Sequence, residues 1–257
     1  MGALPVVILA AGRGRRLAPL TDELPKCLLP LGATSPLALL VEAVGAIDAA
    51  RDLVVVTGHA WKRIEWFFER FATTVPSRQV ECIFNPDYDR ANNIVSVWIA
   101  RERCEDGFLL VNSDVVCHPR ILADALSAEE TFLVVDPTLP PRGEAMKVRY
   151  TGERLTEIGK ELEPDRADGE YIGIARFDRD GATTLYREIQ ALLERGGQDQ
   201  WYEAAIGLAA RSTAIGRRTT AGLPWIEIDD PDDLRRAGDE ILPALGPATF
   251  GDKNTDD

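Results

Sequence analysis

Short apolar runs of strand length alternate along the first half of the chain with segments in which apolar residues recur at helical spacing. The runs predict strands at residues 5–10, 53–57, 80–85, 108–111 and 132–135. The periodic segments predict helices at residues 36–50, 61–71, 93–103 and 118–127. Such alternation is typical of α/β proteins, in which helices cover the faces of a sheet.

The pattern changes after Asp136, where short strand-like pieces are separated by proline and glycine turns. These pieces predict antiparallel strands that are added to the sheet. The remaining periodicity predicts helices at residues 181–195, 201–211 and 231–242, and a strand at 225–228. No repeat or linker divides the chain, so we expect one domain over residues 1–245 and a flexible tail over 246–257.

Composition limits the classes of ligand that the chain can bind. Its 257 residues are 45% hydrophobic and 28% charged, which indicates a folded protein with a substantial core. The net charge of -13 disfavours nucleic acid and anionic membranes, so an anionic ligand would need a local basic cluster. The four cysteines form no CxxC pair, and two histidines are too few for a His-rich metal site. The first apolar run is too short to span a membrane and lacks a basic region before it, so we expect a cytoplasmic protein without membrane insertion.

A local basic cluster is present on the loop that follows the first predicted strand. Two glycines, Gly12 and Gly14, stand there among three arginines. Glycines let backbone N–H groups approach a phosphate, and α/β sheets bind ligands at this edge. A dinucleotide fingerprint would need a third glycine where Leu17 stands, and the GK pair of a P-loop is absent.

The string LAAGRGRRLAPLT, followed by Pro25, Lys26 and an apolar strand, resembles the signature of nucleotidyltransferases that couple nucleoside triphosphates to phosphorylated alcohols and sugars. The resemblance implies that Arg16 and Lys26 hold the triphosphate and stabilise the departing pyrophosphate. Electrostatics agrees, because one basic group about 4 Å from a phosphate charge contributes roughly 4 kcal/mol at an effective dielectric of 20. With the α/β pattern, the resemblance implies a Rossmann-like three-layer sandwich with a mostly parallel mixed sheet and added antiparallel strands.

The same resemblance implies a set of nucleotide-binding residues around the loop. Besides Arg16 and Lys26, they are Leu9, Ala10, Ala11, Gly12, Gly14 and Asn85. The other two loop arginines, Arg13 and Arg15, are equally well explained as solvated surface charges.

Two aspartates at predicted strand ends are candidate ligands of a divalent metal. Phosphate attack on phosphate brings two anions together, so Mg2+ is expected, and it prefers one or two carboxylates plus phosphate oxygens. Asp114 stands where the resembled family has its first metal aspartate, although a turn or cap role fits its position equally well. Strand alternation places Glu227 beside Asp229, which matches the second metal aspartate. The acids after Asp229 are predicted to cap the closing helix.

Further patches resemble cytidylyltransferases that act on phosphocholine, aminoethylphosphonate and related phosphorylated alcohols, with inositol-phosphate enzymes somewhat further away. They are the NPDYDRANN stretch and the strings AMKV, IGK and DGEYIGIARFD. The residues that they make candidates for acceptor binding are Lys147, Lys160, Asn93, Glu170 and Tyr171. Lys160 follows glycine where sugar nucleotidyltransferases have glutamate, and Lys147 is its alternative.

The sequence allows two roles for the paired asparagines and suggests an aromatic site for the acceptor. Asn92 or Asn93 can cap the helix that follows or contact the acceptor. If the acceptor carries a quaternary ammonium, an aromatic box is expected. Its candidate side chains are Tyr88, Tyr171, Trp201 and Tyr202.

We therefore predict a Mg2+-dependent nucleotidyltransferase whose substrates are CTP, or another nucleoside triphosphate, and a small phosphorylated or phosphonate acceptor. One alternative is a sugar-1-phosphate nucleotidyltransferase that uses UTP, GTP or dTTP. Another is a non-catalytic nucleotide-binding regulatory module, which would be indicated by loss of Arg16, Lys26, Asp114 or Asp229. All four residues are present. The sequence leaves open the acceptor, the nucleobase and whether the chain forms a homo-oligomer.

Overall fold

The computed structural model describes residues 3–71, 79–138, 141 and 144–246. Its strands are β1 (Leu4–Ala10), β2 (Ala50–Thr57), β3 (Val80–Phe84), β4 (Gly107–Asn112), β5 (Val115–Cys117), β6 (Phe132–Asp136), β7 (Lys147–Thr151), β8 (Arg154–Gly159), β9 (Gly169–Asp178), β10 (Gly216–Thr219) and β11 (Trp225–Glu227). Its helices are α1 (Pro36–Gly45), α2 (Trp61–Phe71), α3 (Asn93–Ile99), α4 (Pro119–Ser127), α5 (Arg179–Glu194), α6 (Tyr202–Ala209), α7 (Pro231–Arg236) and α8 (Leu242–Ala244).

The main sheet of the described residues runs in the order β10-β6-β9-β4-β1-β2-β3. Strand β1 lies between β2 and β4 and is parallel to both, and β3 continues in the same direction beside β2. Strand β9 runs antiparallel to its neighbours β4 and β6. The hairpin of β7 and β8 joins β9 through antiparallel pairing. The sheet is therefore mostly parallel with added antiparallel strands, as predicted.

Helices cover both faces of this sheet because successive residues of each central strand point to opposite sides. From β1, Val7 and Leu9 pack into one buried cluster with residues of α3, α5 and α6. Its neighbours Val6 and Ile8 pack into a second cluster with residues of α1, α2 and α4. All-apolar strands buried on two faces produce the three-layer sandwich that the sequence predicted.

A third apolar cluster lies beside the main sheet and joins distant parts of the chain. It contains Leu17 and Leu29 from the segment after β1, Val116 from β5, and Ile226 and Ile228 from the region of β11. Strands β5 and β11 pair antiparallel as a separate two-stranded sheet. The third cluster therefore fixes the segment after β1, strand β5 and the C-terminal segment relative to one another.

Several element boundaries differ from the predicted ones. The helix predicted over residues 36–50 ends at Gly45, because Ala50 is drawn into the sheet opposite Leu4. The helix predicted over 93–103 breaks after Ile99, and the closing helix is interrupted by a π-helical turn at Ala237–Ile241. The short strands β5 and β10 were not predicted. None of the described helices is both long and apolar enough to cross a membrane. Of the predicted flexible tail, residues 247–257 lie outside the described part of the chain.

Candidate active site

A cleft of about 680 Å³ opens at the carboxyl ends of β1 and β4. One wall is the loop after β1, and the end of β4, the start of α3, β9, the start of α6 and the end of β11 complete it. The carboxyl edge of parallel strands is the usual ligand-binding position in α/β sheets, since chain turns there expose backbone and side-chain polar groups. All the predicted nucleotide-binding residues line this cleft: Leu9, Ala10, Ala11, Gly12, Gly14, Arg16, Lys26 and Asn85.

The glycine loop lies against Lys26 because Gly14 adopts a left-handed backbone conformation with φ of 61°. A Cβ atom at this position would lie 3.1 Å from Cβ of Lys26 and 3.2 Å from Cγ2 of Thr21. The Thr21 hydroxyl donates a hydrogen bond of 2.9 Å to the Gly14 carbonyl oxygen. Glycine is therefore required both for the backbone angle and for the close approach of the loop to Lys26.

The ammonium group of Lys26 lies between two carboxylates. Its Nζ atom is 2.5 Å from Oδ2 of Asp114 and 3.2 Å from Oδ1 of Asp229. The other carboxylate oxygen of Asp229 is 2.8 Å from Nη2 of Arg16. The two basic residues predicted to hold a triphosphate thus directly contact the two aspartates predicted to hold a metal.

These contacts outweigh the effect of burial on ionisation. Burial alone would lower the pKa of Lys26, but the charges of Asp114 and Asp229 raise it above its ordinary value. Burial would likewise raise the pKa of Asp229, yet Lys26 and Arg16 lower it. The ammonium and the carboxylate therefore stay charged at neutral pH and stabilise each other.

Three carboxylates converge at this point. One oxygen each from Asp114, Glu227 and Asp229 lie within 4.8 Å of one another. The Oδ1 atom of Asp114 is buried and accepts no hydrogen bond from any described residue. Burial, with the charges of Asp114 and Asp229, raises the pKa of Glu227 to about 8. A cluster of oxygen ligands with an orphaned buried oxygen fits a hard divalent cation such as Mg2+.

The pairing of β5 with β11 brings these carboxylates together. Val115 lies opposite Glu227 in the ladder, and the backbone N–H of Ile228 donates to the Asp114 carbonyl oxygen at 3.1 Å. The next acid, Asp230, caps α7 by accepting a 2.9 Å hydrogen bond from the N–H of Asp233. This confirms, for Asp230, the helix-capping role that was predicted for the acids after Asp229.

The far end of the cleft contains part of the predicted acceptor site. Lys160, Tyr171 and Asn93 line it, and the Lys160 ammonium lies 4.9 Å from the centre of the Trp201 ring. The Asn93 side chain accepts a 2.9 Å hydrogen bond from the backbone N–H of Tyr202, so it also fixes the start of α6. The preceding Asn92 is the N-cap of α3.

Two predicted acceptor-binding residues do not line the cleft. The Lys147 side chain is buried, and its ammonium donates to the Ala145 carbonyl oxygen at 3.2 Å. The register of β7 against β9 places Lys147 opposite Glu170, and neither is among the residues that line the cleft. Alternation along β7 predicts the face of Lys147 but not whether that face is covered, and the acceptor-binding roles of Lys147 and Glu170 stay predictions.

The predicted aromatic box is likewise incomplete. Tyr88, Tyr171 and Trp201 line the cleft, whereas Tyr202 is fully buried and does not. The Tyr202 hydroxyl is 2.9 Å from that of Tyr171 and donates to the Asn112 side chain at 3.3 Å. The two tyrosines therefore form part of the wall that supports Asn112.

Two residues that line the cleft, Asn112 and Glu203, were not predicted from the sequence. Asn112 ends β4 beside Gly173, whose φ is +78° and whose added Cβ would lie 2.7 Å from Nδ2 of Asn112. Glu203 is a buried acid in the first turn of α6. The signal for Glu203 was an acid inside an otherwise apolar helical stretch, and the signal for Asn112 was an amide at a strand end.

The sheet order and the position of the cleft define an α/β protein with a Rossmann-like fold. The chain belongs to the MobA-like NTP transferase domain family, whose model matches residues 6–171.

Curated relatives extend the similarity beyond residue 171. A Rubrobacter xylanophilus protein described as a bifunctional IPC transferase and DIPP synthase is 30% identical over 243 residues, which are 91% of this chain and 51% of that protein. The CMP-5'-(3-aminopropyl)phosphonate synthase of Streptomyces rubellomurinus is 28% identical over 94% of this chain and 40% of that protein. The chain thus spans about half the length, or less, of these curated relatives.

Solved structures agree on the fold. The CTP:phosphocholine cytidylyltransferase of Streptococcus pneumoniae superposes with a TM-score of 0.77 at 19% identity, over 94% of this chain and 100% of that one. The inositol-1-phosphate CTP transferase of T. maritima gives a TM-score of 0.78 at 19% identity, over 96% and 98% of the two chains. At these identities the likeness establishes the fold alone.

Removing the charge of Glu227 should change how stability depends on pH in solutions free of divalent metal. The pKa of Glu227 rises from 4.5 to about 8 on folding. Between these two pH values the carboxyl is protonated in the folded protein and ionised in the unfolded chain. The contribution of Glu227 to the free energy of unfolding of the parent protein therefore falls as pH rises from 5 to 8. Glu227→Gln does not titrate, and we expect it to be more stable than the parent by about 1–2 kcal/mol at pH 8 and by much less at pH 5.

Urea denaturation at the two pH values measures this difference. Glu194→Gln, an exposed change on α5, is the matched control and should show no such dependence. A stability difference for Glu227→Gln that is the same at both pH values would contradict the assigned electrostatics.

Proposed function

We propose that this protein transfers CMP from CTP to the phosphate or phosphonate of a small alcohol and releases pyrophosphate. The observation that carries this proposal is the meeting of Arg16, Lys26 and three carboxylates at one end of the cleft, beside a glycine loop. Relatives described as a CMP-5'-(3-aminopropyl)phosphonate synthase, a CTP:phosphoglutamine cytidylyltransferase and a 2-aminoethylphosphonate cytidylyltransferase support the choice of nucleotide and of acceptor class.

The residues of the loop bind and orient the triphosphate. Gly12, Arg16 and Lys26 line the cleft, where backbone N–H groups of the loop and the two basic side chains would contact phosphate oxygens. An oxygen of the acceptor attacks the α-phosphorus in line, and a new oxygen–phosphorus bond forms as the bond to the bridging oxygen breaks. Pyrophosphate leaves with that electron pair and is stabilised by Lys26 and Arg16. No protein base is needed, since the acceptor oxygen is already ionised near neutral pH.

The carboxylates serve as ligands of Mg2+ in this proposal. Asp114, Glu227 and Asp229 would hold the ion, and its charge would neutralise that of the phosphate oxygens. Asp114 and Asp229 contact Lys26 here, and Lys26 would contact the phosphates that the loop binds.

The acceptor occupies the other end of the cleft in this proposal. Lys160 lines that end with its ammonium over the Trp201 ring, and it binds the acceptor phosphate or orients it toward the α-phosphorus. Positioning of two bound substrates makes a large contribution to rate because it replaces a bimolecular encounter.

A panel of nucleotides and acceptors tests the proposal. CTP, UTP, GTP and dTTP are each combined with phosphocholine, 2-aminoethylphosphonate, inositol 1-phosphate and glucose 1-phosphate, and pyrophosphate release is measured with Mg2+ and with EDTA. We expect CTP and a non-sugar acceptor to give the highest rate. A preference for glucose 1-phosphate with another nucleotide would favour the sugar-nucleotide alternative, and tight CTP binding without any release would favour a regulatory module.

Lys26→Ala should lower kcat by about two to three orders of magnitude, the loss expected for one preorganised electrostatic contact to the departing charge. Steady-state pyrophosphate release with the best substrate pair measures the effect. Lys62→Ala is the matched control, because Lys62 is exposed on α2 and does not line the cleft. Thermal unfolding of both variants separates a catalytic loss from a folding defect. A Lys26→Ala rate within about threefold of the parent would exclude Lys26 from the mechanism.

The metal ligands can be tested without any turnover. Mn2+ is titrated into the protein and its free fraction is followed by electron paramagnetic resonance. We expect Asp114→Asn and Asp229→Asn each to weaken binding at least about tenfold, because each removes an anionic oxygen ligand. Asp124→Asn, on the exposed side of α4, is the control and should bind as the parent does. Unchanged binding in both cleft variants would rule out this cluster as the metal site.

A further inference from the structure

His59 is a buried histidine beside the glycine loop, and it takes no part in the mechanism proposed for the cleft. It follows the end of β2 and is only 7% exposed. Its Nε2 atom lies 2.7 Å from the carbonyl oxygen of Thr21, in the segment that follows the glycine loop. A carbonyl oxygen can only accept a hydrogen bond, so Nε2 carries the hydrogen and donates it. The imidazole therefore ties the end of β2 to the segment after β1.

Thr21 passes this contact on to the glycine loop. It is buried, and its hydroxyl donates to the Gly14 carbonyl oxygen at 2.9 Å. The backbone N–H of His59 donates separately to the Ala11 carbonyl oxygen at 3.0 Å. Two carbonyl groups of the loop are thus held in place, that of Ala11 directly by His59 and that of Gly14 through Thr21.

Holding these carbonyl groups also sets the direction of two N–H groups of the loop. The peptide bonds from Ala11 to Gly12 and from Gly14 to Arg15 are trans, and a trans peptide group has its C=O and N–H on opposite sides. The N–H groups of Gly12 and Arg15 therefore point away from the residues that hold the carbonyl oxygens. Neither donates a hydrogen bond within the described part of the chain, and both residues line the cleft. Such free donors suit a bound anion.

The turn that carries His59 is itself closely constrained. A Cβ atom on Gly58 would lie 2.6 Å from the Ala11 carbonyl oxygen and 2.5 Å from Cβ of Tyr88. Ala60 has a φ of 48°, a left-handed backbone conformation that is unfavourable for a residue with a Cβ atom. A strained residue of this kind persists only where the surrounding structure determines it. The turn therefore holds the imidazole against the segment after β1.

We propose that His59 is a positioning residue, which acts through Thr21 to keep the glycine loop in the form that binds a triphosphate. The inference rests on the proposed function and adds to it a residue that does not line the cleft. Loss of the imidazole donor leaves the buried Thr21 carbonyl oxygen unpaired and lets the Thr21 residue shift away from Gly14. The fraction of the protein whose loop can bind then falls, and the apparent affinity falls with it.

Binding of CTP and of inorganic triphosphate, each with Mg2+ and measured by isothermal titration calorimetry, tests this role. We expect His59→Leu to weaken the binding of both ligands by at least about tenfold, because the competent form of the loop becomes a minor population. His59→Gln should bind within about threefold of the parent, since an amide N–H can replace the Nε2 donor. His118→Leu is the matched control, because it removes the other histidine of the chain, which caps α4 and does not line the cleft.

A second variant distinguishes positioning from a general loss of stability. Thr21→Val removes the hydroxyl and should weaken both ligands as His59→Leu does. The double variant should bind within about threefold of the weaker single variant, because both changes break the same series of contacts. Thermal unfolding shows whether each variant is folded. If His59→Leu does not fold, Thr21→Val decides, since parent-like binding by that variant would contradict the proposal.

Three other results would overturn the role of His59 while leaving nucleotidyl transfer intact. They are parent-like binding by His59→Leu, failure of His59→Gln to restore binding, and losses that multiply in the double variant. If the parent binds triphosphate but not CTP, the proposed nucleotide is wrong and the triphosphate data alone decide the role of His59. A parent protein that binds neither ligand would overturn both proposals.

Discussion

The placement of one ammonium group between two carboxylates is the constraint on which the candidate site depends. Lys26 is largely buried, and a buried charge is tolerated only where opposite charges and hydrogen bonds surround it. Asp114 and Asp229 supply those charges, and Arg16 holds Asp229 from its other side. The pairing fixes the glycine loop, the end of β4 and the end of β11 in one position. The same groups are then available to receive phosphate and metal without rearrangement of the fold.

The cleft has two ends of different chemistry because different elements supply them. The first end is built from the loop after β1 and from the paired strands β5 and β11, and it collects Arg16, Lys26 and the three carboxylates. The second is built from α3, β9 and α6, and it collects aromatic rings, Lys160 and the buried acid Glu203. Binding of phosphate groups and a cation suits the first end, and recognition of a small organic group suits the second.

Local sequence pattern predicted the fold class and most of its elements, because apolar strands and amphipathic helices are encoded within a few neighbouring residues. The bounds of α2 came directly from its periodicity. Asp114 and Asp229 were both expected at strand ends, but their convergence depends on the pairing of β5 with β11 in the separate two-stranded sheet. Their roles in catalysis and metal binding stay predictions.

Features that depend on pairing between distant segments could not be predicted. Whether Lys147 is exposed depends on the register of β7 against β9, and strand β5 is too short to give a signal without its partner β11. Glu203 was missed because an acid in a helix is normally solvent-exposed, and only the packing of α6 against the cleft buries it. Such positions are where local preference and tertiary structure disagree, and functional residues are often found there.

The pairing of β5 with β11 also dictates the order in which the protein can be completed during its synthesis. Lys26 and Asp229 are 203 positions apart, so a growing chain has finished its glycine loop and the strands β1 to β4 long before Asp229 is added. Until then Lys26 has Asp114 as a neighbour but not the opposing acid, and the two-stranded sheet has only one of its strands. The nascent chain can thus build its layered core early, while the charged end of its cleft is assembled among the last steps of maturation.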